Sequence, residues 1–116
     1  MGRLVNLTDT VKVSVPANTT IAQGSFVALN GILGLALNNV VTGVGETGEE
    51  ILYIKKGIYE TSQIKSGVTF SVGDKVYWDN TAKAFSRTAT DNTLVGVVTE
   101  AGTGYIQFLF TNPVLS

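Results

Sequence analysis

Apolar and polar residues alternate along much of the chain, a pattern typical of β-strands that bury one face. Residues 10–15, TVKVSV, place three valines on one face and Lys12 and Ser14 on the other. Residues 105–111, YIQFLFT, are apolar on both faces, which predicts a strand that is central in its sheet or covered on both sides. No segment accumulates good helix formers with a period of 3.6.

The same pattern predicts several further short strands. They are residues 24–29, 32–37, 50–55, 73–79, 83–88 and 94–100, with 57–61 continuing or bulging the strand before it. Asn30-Gly31 separates two of them and indicates a hairpin, because both turn positions favour positive φ. One helical turn near residues 62–66 is the only helix that the pattern tolerates. The fold class predicted is all-β, a small antiparallel β-barrel or sandwich of about eight short strands with little or no helix.

Residues 73–79, GDKVYWD, hold the only tryptophan of the chain. Turn residues bound this strand at both ends, and alternation places Val76 and Trp78 on its core face. Asp74 and Asp79 are interpreted as turn caps, because carboxylates at the two ends of a strand lie too far apart for a glycosidase pair.

A weak internal repeat relates this stretch to residues 24–30, GSFVALN. Each copy reads Gly-x-x-Val-x-apolar-Asn/Asp, and each is followed by an apolar run around one glycine, at residues 33–37 and 94–98. Residues 80–93 lengthen the second copy. Gene duplication and shared hairpin geometry would both produce this pattern.

Residues 1–9 form a predicted flexible N-terminal arm, and residues 10–116 a single β domain. The arm is partly apolar but shows neither a helix nor a strand period, and termini are often disordered unless they dock. The chain length of 116 residues favours one domain with a core large enough to need no staples.

Composition excludes several classes of function. Cysteine and histidine are absent, which removes thiolate sites, the commonest general base and the usual metal ligand. The net charge is −1 without a basic stripe, so direct nucleic-acid binding is not predicted. No apolar run is long enough for a membrane span, and no signal peptide is evident, which predicts synthesis in the cytoplasm. Only 15% of residues are charged against 44% hydrophobic, which indicates burial against partners.

Candidate chemistry is sparse, and no catalytic, cofactor-binding or metal-binding residue is predicted. Residues 43–48, GVGETG, match a phosphate-loop spacing, but Glu49 and Glu50 follow where a helix and a cation are required, so a glycine turn is favoured. A hydrolase would need a cleft with converging carboxylates. Five aromatic residues could instead line a sugar-stacking surface, although core packing is favoured: Tyr53, Tyr59, Tyr77, Trp78 and Tyr105.

The order of several short motifs resembles a known family. These motifs are Pro16-Ala17, residues 24–27, Gly34-Leu35-Ala36, Lys56-Gly57-Ile58-Tyr59, residues 72–79 and residues 95–98. Over about residues 10–110 the chain resembles small phage and prophage proteins, earlier described as a domain of unknown function and now interpreted as capsid cement or decoration proteins. The fold signature is Gly73, Asp74, Val76, Tyr77, Trp78 and Asp79.

This resemblance implies a structural virion protein, made in the host cytoplasm and located on the capsid exterior. Such proteins bind the phage major capsid protein at junctions between its subunits, commonly as trimers, and hold the expanded shell against internal pressure. The arm supplies the candidate capsid contacts, which are Arg3, Leu4, Val5 and Leu7. The alternative function is a carbohydrate-binding β module displayed on a virion or cell surface.

Overall fold

The computed structural model describes residues 9–115, and within them it forms strands, turns and loops without a helix. The strands in chain order are β1 (Thr10–Val15), β2 (Thr20–Ile21), β3 (Phe26–Leu29), β4 (Ile32–Ala36), β5 (Val40–Val41), β6 (Gly48–Tyr53), β7 (Gly57–Thr61), β8 (Lys75–Asp79), β9 (Ala84–Ser86), β10 (Thr93–Gly102) and β11 (Tyr105–Phe110). The predicted all-β class is confirmed. The helical turn tolerated near residues 62–66 does not form.

Three antiparallel sheets contain these strands. A four-stranded sheet has the order β1-β6-β4-β3, a five-stranded sheet has the order β7-β11-β10-β8-β9, and β2 pairs with β5. Neither larger sheet closes on itself, so each keeps two edge strands. β11 is flanked by β7 and β10, and the central position predicted for it is confirmed.

The two larger sheets repeat one topology. The first sheet contains β1, β3, β4 and β6. Across the sheet, the first of these strands in the chain is followed by the fourth, then the third, then the second. β7, β8, β10 and β11 lie in that same order, and β9 is added beside β8 by the residues that lengthen the second copy. The agreement spans four strands rather than one hairpin, which favours gene duplication as the origin of the sequence repeat. The two units are called the first and second halves below.

Backbone hydrogen bonds at the start of each repeat are also equivalent. Gly24 and Gly73 both adopt the left-handed conformation, with φ of 84° and 91°. The Gly24 N–H donates to the Ala36 carbonyl at 2.8 Å, and the Gly73 N–H donates to the Val98 carbonyl at 2.9 Å. Because the left-handed region disfavours a Cβ atom, glycine is favoured at both positions.

Two apolar clusters form the core. The smaller lies on the first sheet and is closed by Ile21 of β2 and Val40 of β5. The larger joins the two halves and contains Phe26, Leu33, Phe70, Val76, Trp78, Phe85, Val95, Val98, Ile106, Phe108 and Phe110. Trp78 is buried within it, with its ring centroid 5.0 Å from that of Phe85, so the predicted core position of the tryptophan is confirmed.

The prediction that residues 57–61 continue or bulge the preceding strand is wrong. They form β7, which pairs with β11 in the other sheet, so the chain crosses between sheets after Tyr53. The physical reason is aromatic packing, since Tyr59 meets Phe26, Phe108 and Phe110 there. Sequence reasoning also missed the pair of β2 and β5, which lie in segments where no strand was predicted.

Candidate interaction surfaces

The predicted arm joins the described part of the chain at the edge of the first sheet. The Asp9 carbonyl accepts a hydrogen bond from the Ile54 N–H at 2.9 Å, and its carboxylate lies 3.7 Å from the Lys55 ammonium. Both contacts anchor the start of β1 beside the end of β6. The candidate capsid contacts, Arg3, Leu4, Val5 and Leu7, lie outside the described residues.

The signature stretch 73–79 builds the fold. Val76 and Trp78 are fully buried on one face of β8, as alternation predicts. The Trp78 indole Nε1–H donates to Asn80 Oδ1 at 3.1 Å, which satisfies its polar atom at the edge of the core. Val76 and Trp78 therefore hold the two sheets together and are not available to a partner.

The two aspartates of this stretch cap turns, as predicted. The Asp74 carboxylate accepts the Ser71 N–H at 2.7 Å and also pairs with Arg87 at 3.3 Å. The Asp79 carboxylate accepts a charge-assisted hydrogen bond from Lys65 at 2.8 Å and the N–H groups of residues 81 and 82. The Lys65 hydrogen bond is the main cause that lowers the pKa of Asp79.

The outer face of the five-stranded sheet carries an apolar row across three strands, and a lysine continues the row on the fourth. In register, Ile58 of β7, Leu109 of β11, Val97 of β10 and Lys75 of β8 lie side by side. Ile58 is 62% exposed and Val97 40% exposed, and neighbouring Leu94 is 45% exposed. Contiguous exposed apolar side chains of this kind mark interaction sites on soluble proteins.

Sequence reasoning did not single out this outer face. The sequence feature that could have indicated this face is the outward position of Ile58 and Val97 in their alternating strands. A single sequence, however, does not show that two distant strands lie together. Polar residues flank the row on one side, where Gln107 donates to Glu60 at 3.2 Å and the Tyr105 hydroxyl donates to Glu100 at 3.1 Å. The latter hydrogen bond raises the pKa of Tyr105.

Glu50 is a second feature that sequence reasoning missed. Its side chain is fully buried on β6. Oε1 accepts hydrogen bonds from the backbone N–H groups of Asn38 and Ile51 and from Asn38 Nδ2, whereas Oε2 lacks a partner among the described residues. The carboxylate therefore ties the loop after β4 to the middle of the first sheet.

The tyrosines do not provide the coplanar platform that sugar stacking requires at the junction of the halves. Tyr53 and Tyr59 meet edge to face, with an interplanar angle of 62° and centroids 6.3 Å apart. Burial, with smaller effects of Tyr53 and Asp9, raises the pKa of Tyr59 to about 12. Tyr59 is thus part of the aromatic packing between the sheets.

Two surface cavities of the described residues do not bring carboxylates together. One has a volume of about 550 Å³ and is lined by residues 62, 64–70 and 102–106, which include no acidic residue. Another, of about 370 Å³, contains Glu60 as its single carboxylate beside Gln23, Ser25 and Gln63. Neither has the paired acids that a hydrolase needs.

The glycine-rich segment 43–48 forms a turn that leads into β6 and does not open a helix. The Gly43 N–H donates to the Glu46 carboxylate, and Gly45 has a φ of 72°. The turn interpretation is therefore confirmed, because a phosphate loop would need to open a helix. None of the described residues belongs to a helix long and apolar enough to cross a membrane.

Comparison with known proteins gives one family. A model of the family described as phage cement protein matches residues 5–105. Neither the curated proteins nor the solved structures searched contain a match.

Proposed function

The chain belongs to the phage cement protein family, and from this premise we propose that it binds the outer surface of a phage capsid and stabilises the expanded shell. The observation that carries the proposal is the family match, which spans residues 5–105 of a 116-residue chain. The family assigns a phage structural role, and capsid binding and stabilisation are the finer steps proposed for this chain. The proposed partner is the phage major capsid protein, and the proposed location is the capsid exterior after synthesis in the host cytoplasm.

The composition of the body supports a structural role without enzymatic activity. The chain has neither histidine nor cysteine, and its larger cavities bring no two carboxylates together within the described residues. The exposed apolar row on the second sheet is the kind of surface that a partner covers. These features favour binding over catalysis.

The proposed mechanism combines a stiff body with an extended arm. The β domain, residues 10–116, bridges neighbouring capsid subunits as one stiff unit of two packed sheets. Residues 1–9 become ordered on binding and add a strand to the shell, with Arg3, Leu4, Val5 and Leu7 as contacts. Many weak sites repeated over the lattice then resist pressure through avidity. The chain acts as a homo-oligomer, and the resemblance favours a trimer.

Cryo-electron microscopy of expanded capsids, with and without saturating protein, tests this proposal. The expected result is added density outside the shell at repeated junctions between major capsid subunits. The purified β body fits that density with the two-sheet architecture described above. A shell that shows no added density at saturating protein would rule out the proposed function.

A further inference from the structure

Residues that pair in register across neighbouring strands form a row across each sheet. Because the topology is duplicated, a row in one half has an equivalent row in the other half. Register makes β7 equivalent to β1, β11 to β6, β10 to β4 and β8 to β3. The row in the first half consists of Thr10, Tyr53, Leu35 and Phe26. The equivalent row in the second half consists of Ile58, Leu109, Val97 and Lys75.

These two rows differ in what covers them. In the first half, Phe26 is buried and Leu35 packs against the core cluster that joins the sheets. Tyr53 meets the ring of Tyr59 from the second half. The row in the second half has no sheet over it in the described chain, and Ile58 and Val97 are exposed. One copy of the repeated unit thus has its outer face covered by its duplicate, and the other does not.

We infer that the outer face of the five-stranded sheet is the docking surface for a second copy of this chain. Within the described chain, the inner face of this sheet is buried in the larger core cluster, and the second face of the four-stranded sheet is closed by β2 and β5. The sheet face that stays open on a second copy is therefore this same outer face, with the same apolar row. The inference deepens the homo-oligomer that forms part of the proposed function, by naming the surface through which it assembles. It does not depend on capsid binding.

Charge and size are consistent with self-association. Glu60 lies on the edge strand β7 and Lys75 on β8, so the face has an acidic and a basic side with the apolar row between them. A face with both signs suits a neighbour of identical composition. Five strands at ~4.8 Å spacing and about 20 Å in length cover about 500 Å² per copy, and about 1,000 Å² in a pair. This area is near the lower limit for a specific interface, so assembly should depend on concentration.

Analytical ultracentrifugation of the full chain over a wide concentration range tests the inference. The wild type should sediment as a multiple of the monomer mass at high concentration and dissociate on dilution. Ile58→Lys and Val97→Lys should each weaken self-association by about tenfold or more, because each buries an unpaired ammonium in an apolar contact. Val44→Lys is the matched control: it adds the same charge at a residue that is 89% exposed on the loop before β6, and it should assemble as the wild type does.

Circular dichroism and thermal unfolding confirm that each variant folds. If Val97→Lys fails this check, Ile58→Lys on the edge strand decides the matter. A wild type that stays monomeric at every concentration overturns the inference. So do folded lysine variants that assemble as strongly as the wild type.

Capsid binding of the same proteins separates this inference from the proposed function. Lysine variants that become monomers, whether or not they still bind shells, support the docking surface. A wild type that assembles through this face but does not bind shells keeps the inference and defeats the proposed function. A monomeric wild type whose Ile58→Lys variant loses shell binding overturns the inference and assigns the face to the capsid.

Discussion

At the scale of single residues, Glu50 shows how the two halves have diverged. Register places Glu50 of β6 at the position that Ile106 of β11 occupies in the second half, and both side chains are buried. In the first half the carboxylate accepts hydrogen bonds from the Asn38 and Ile51 N–H groups. A buried carboxylate is retained at a sheet centre only when hydrogen bonds offset its desolvation.

Replacing Glu50 should therefore destabilise the fold more than replacing its exposed neighbour Glu49 does. Glu50→Ala leaves two backbone donors unpaired and should lower the free energy of unfolding by about 1–3 kcal/mol. Glu50→Gln keeps the Oε1 acceptor and should lower it less. Urea denaturation measures both, with Glu49→Ala as the control, since the Glu49 side chain is exposed and forms an exposed ion pair with Lys12. A Glu50→Ala loss no larger than that of Glu49→Ala would contradict the role given to this carboxylate.

Tyr59 should make stability fall at alkaline pH. Its pKa in the folded chain is about 12 against an ordinary value of 10, so its stabilising contribution is complete below pH 10. Between pH 10 and 12 the unfolded chain loses this proton first, and the free energy of unfolding decreases.

The comparison of wild type with Tyr59→Phe measures this effect. The free energy of unfolding of the wild type should drop more steeply between about pH 10 and about pH 12 than that of the variant, which lacks the phenol. The other ionisable residues are common to both proteins, so the difference between the two profiles reports on Tyr59. Parallel pH profiles would show that Tyr59 ionises as readily in the folded chain as in the unfolded one.

Single residues were predicted well where one local rule decided their place. Alternation alone placed Val76 and Trp78 in the core, and the turn rule gave Asn30 and Gly31 their positive φ of 53° and 79°. The burial of Glu50 could not be predicted this way, because its partner Asn38 is 12 residues away and charged residues are usually exposed.

At the scale of elements, the repeated glycines explain how paired strands approach closely. Gly34 of β4 pairs with Val27, and Gly96 of β10 pairs with Val76, at equivalent positions of the two halves. A Cβ atom at Gly96 would lie 2.1 Å from the Leu109 carbonyl oxygen, and one at Gly34 would lie 2.9 Å from the Leu52 Cβ. Each glycine thus makes room for a neighbouring strand.

Alanine at these glycines should separate strands and destabilise the sheet. Gly96→Ala meets backbone, which cannot move independently, and should cost about 3 kcal/mol or more, whereas Gly34→Ala should cost about 1–3 kcal/mol. Gly57→Ala is the control, because the nearest atom to its Cβ would lie 3.9 Å away, in ordinary contact. Thermal or urea unfolding ranks the three variants. Equal stability of Gly96→Ala and Gly57→Ala would refute the close approach.

Elements with a long alternating pattern were predictable, and elements fixed by distant contacts were not. β1 and β11 follow their sequence pattern nearly residue for residue. β2 and β5 have two residues each, which is too short for any period. The placement of β7 in the second sheet depends on aromatic partners far along the chain, which local reasoning does not supply.

At the scale of the whole molecule, the arm and the body are proposed to have separate tasks. Deleting residues 1–9 should weaken capsid binding and leave the body folded, because the core clusters lie between residues 11 and 115. Removing Asp9 also removes one hydrogen bond to Ile54 and an exposed ion pair, so a small loss of stability is expected. Co-sedimentation with expanded shells measures binding, and unfolding curves measure stability. Equal affinity of the deleted and full chains would remove the arm from the mechanism.

The match to the phage cement family could be anticipated from the signature stretch and its neighbouring motifs, because these residues specify the fold. The proposed docking surface could not, since the outer face of the second sheet arises only when four separate strands are brought into register. The short repeated motif in the sequence corresponds, in the whole molecule, to two sheets that share the order of four strands.

The proposed function requires that this protein strengthens the expanded shell. DNA release from heated, DNA-filled capsids measures it most directly, with the protein titrated from none to saturation. The release temperature should rise with occupancy and level off when the sites are full. A release temperature that is the same for bare and fully occupied capsids would contradict the cement function.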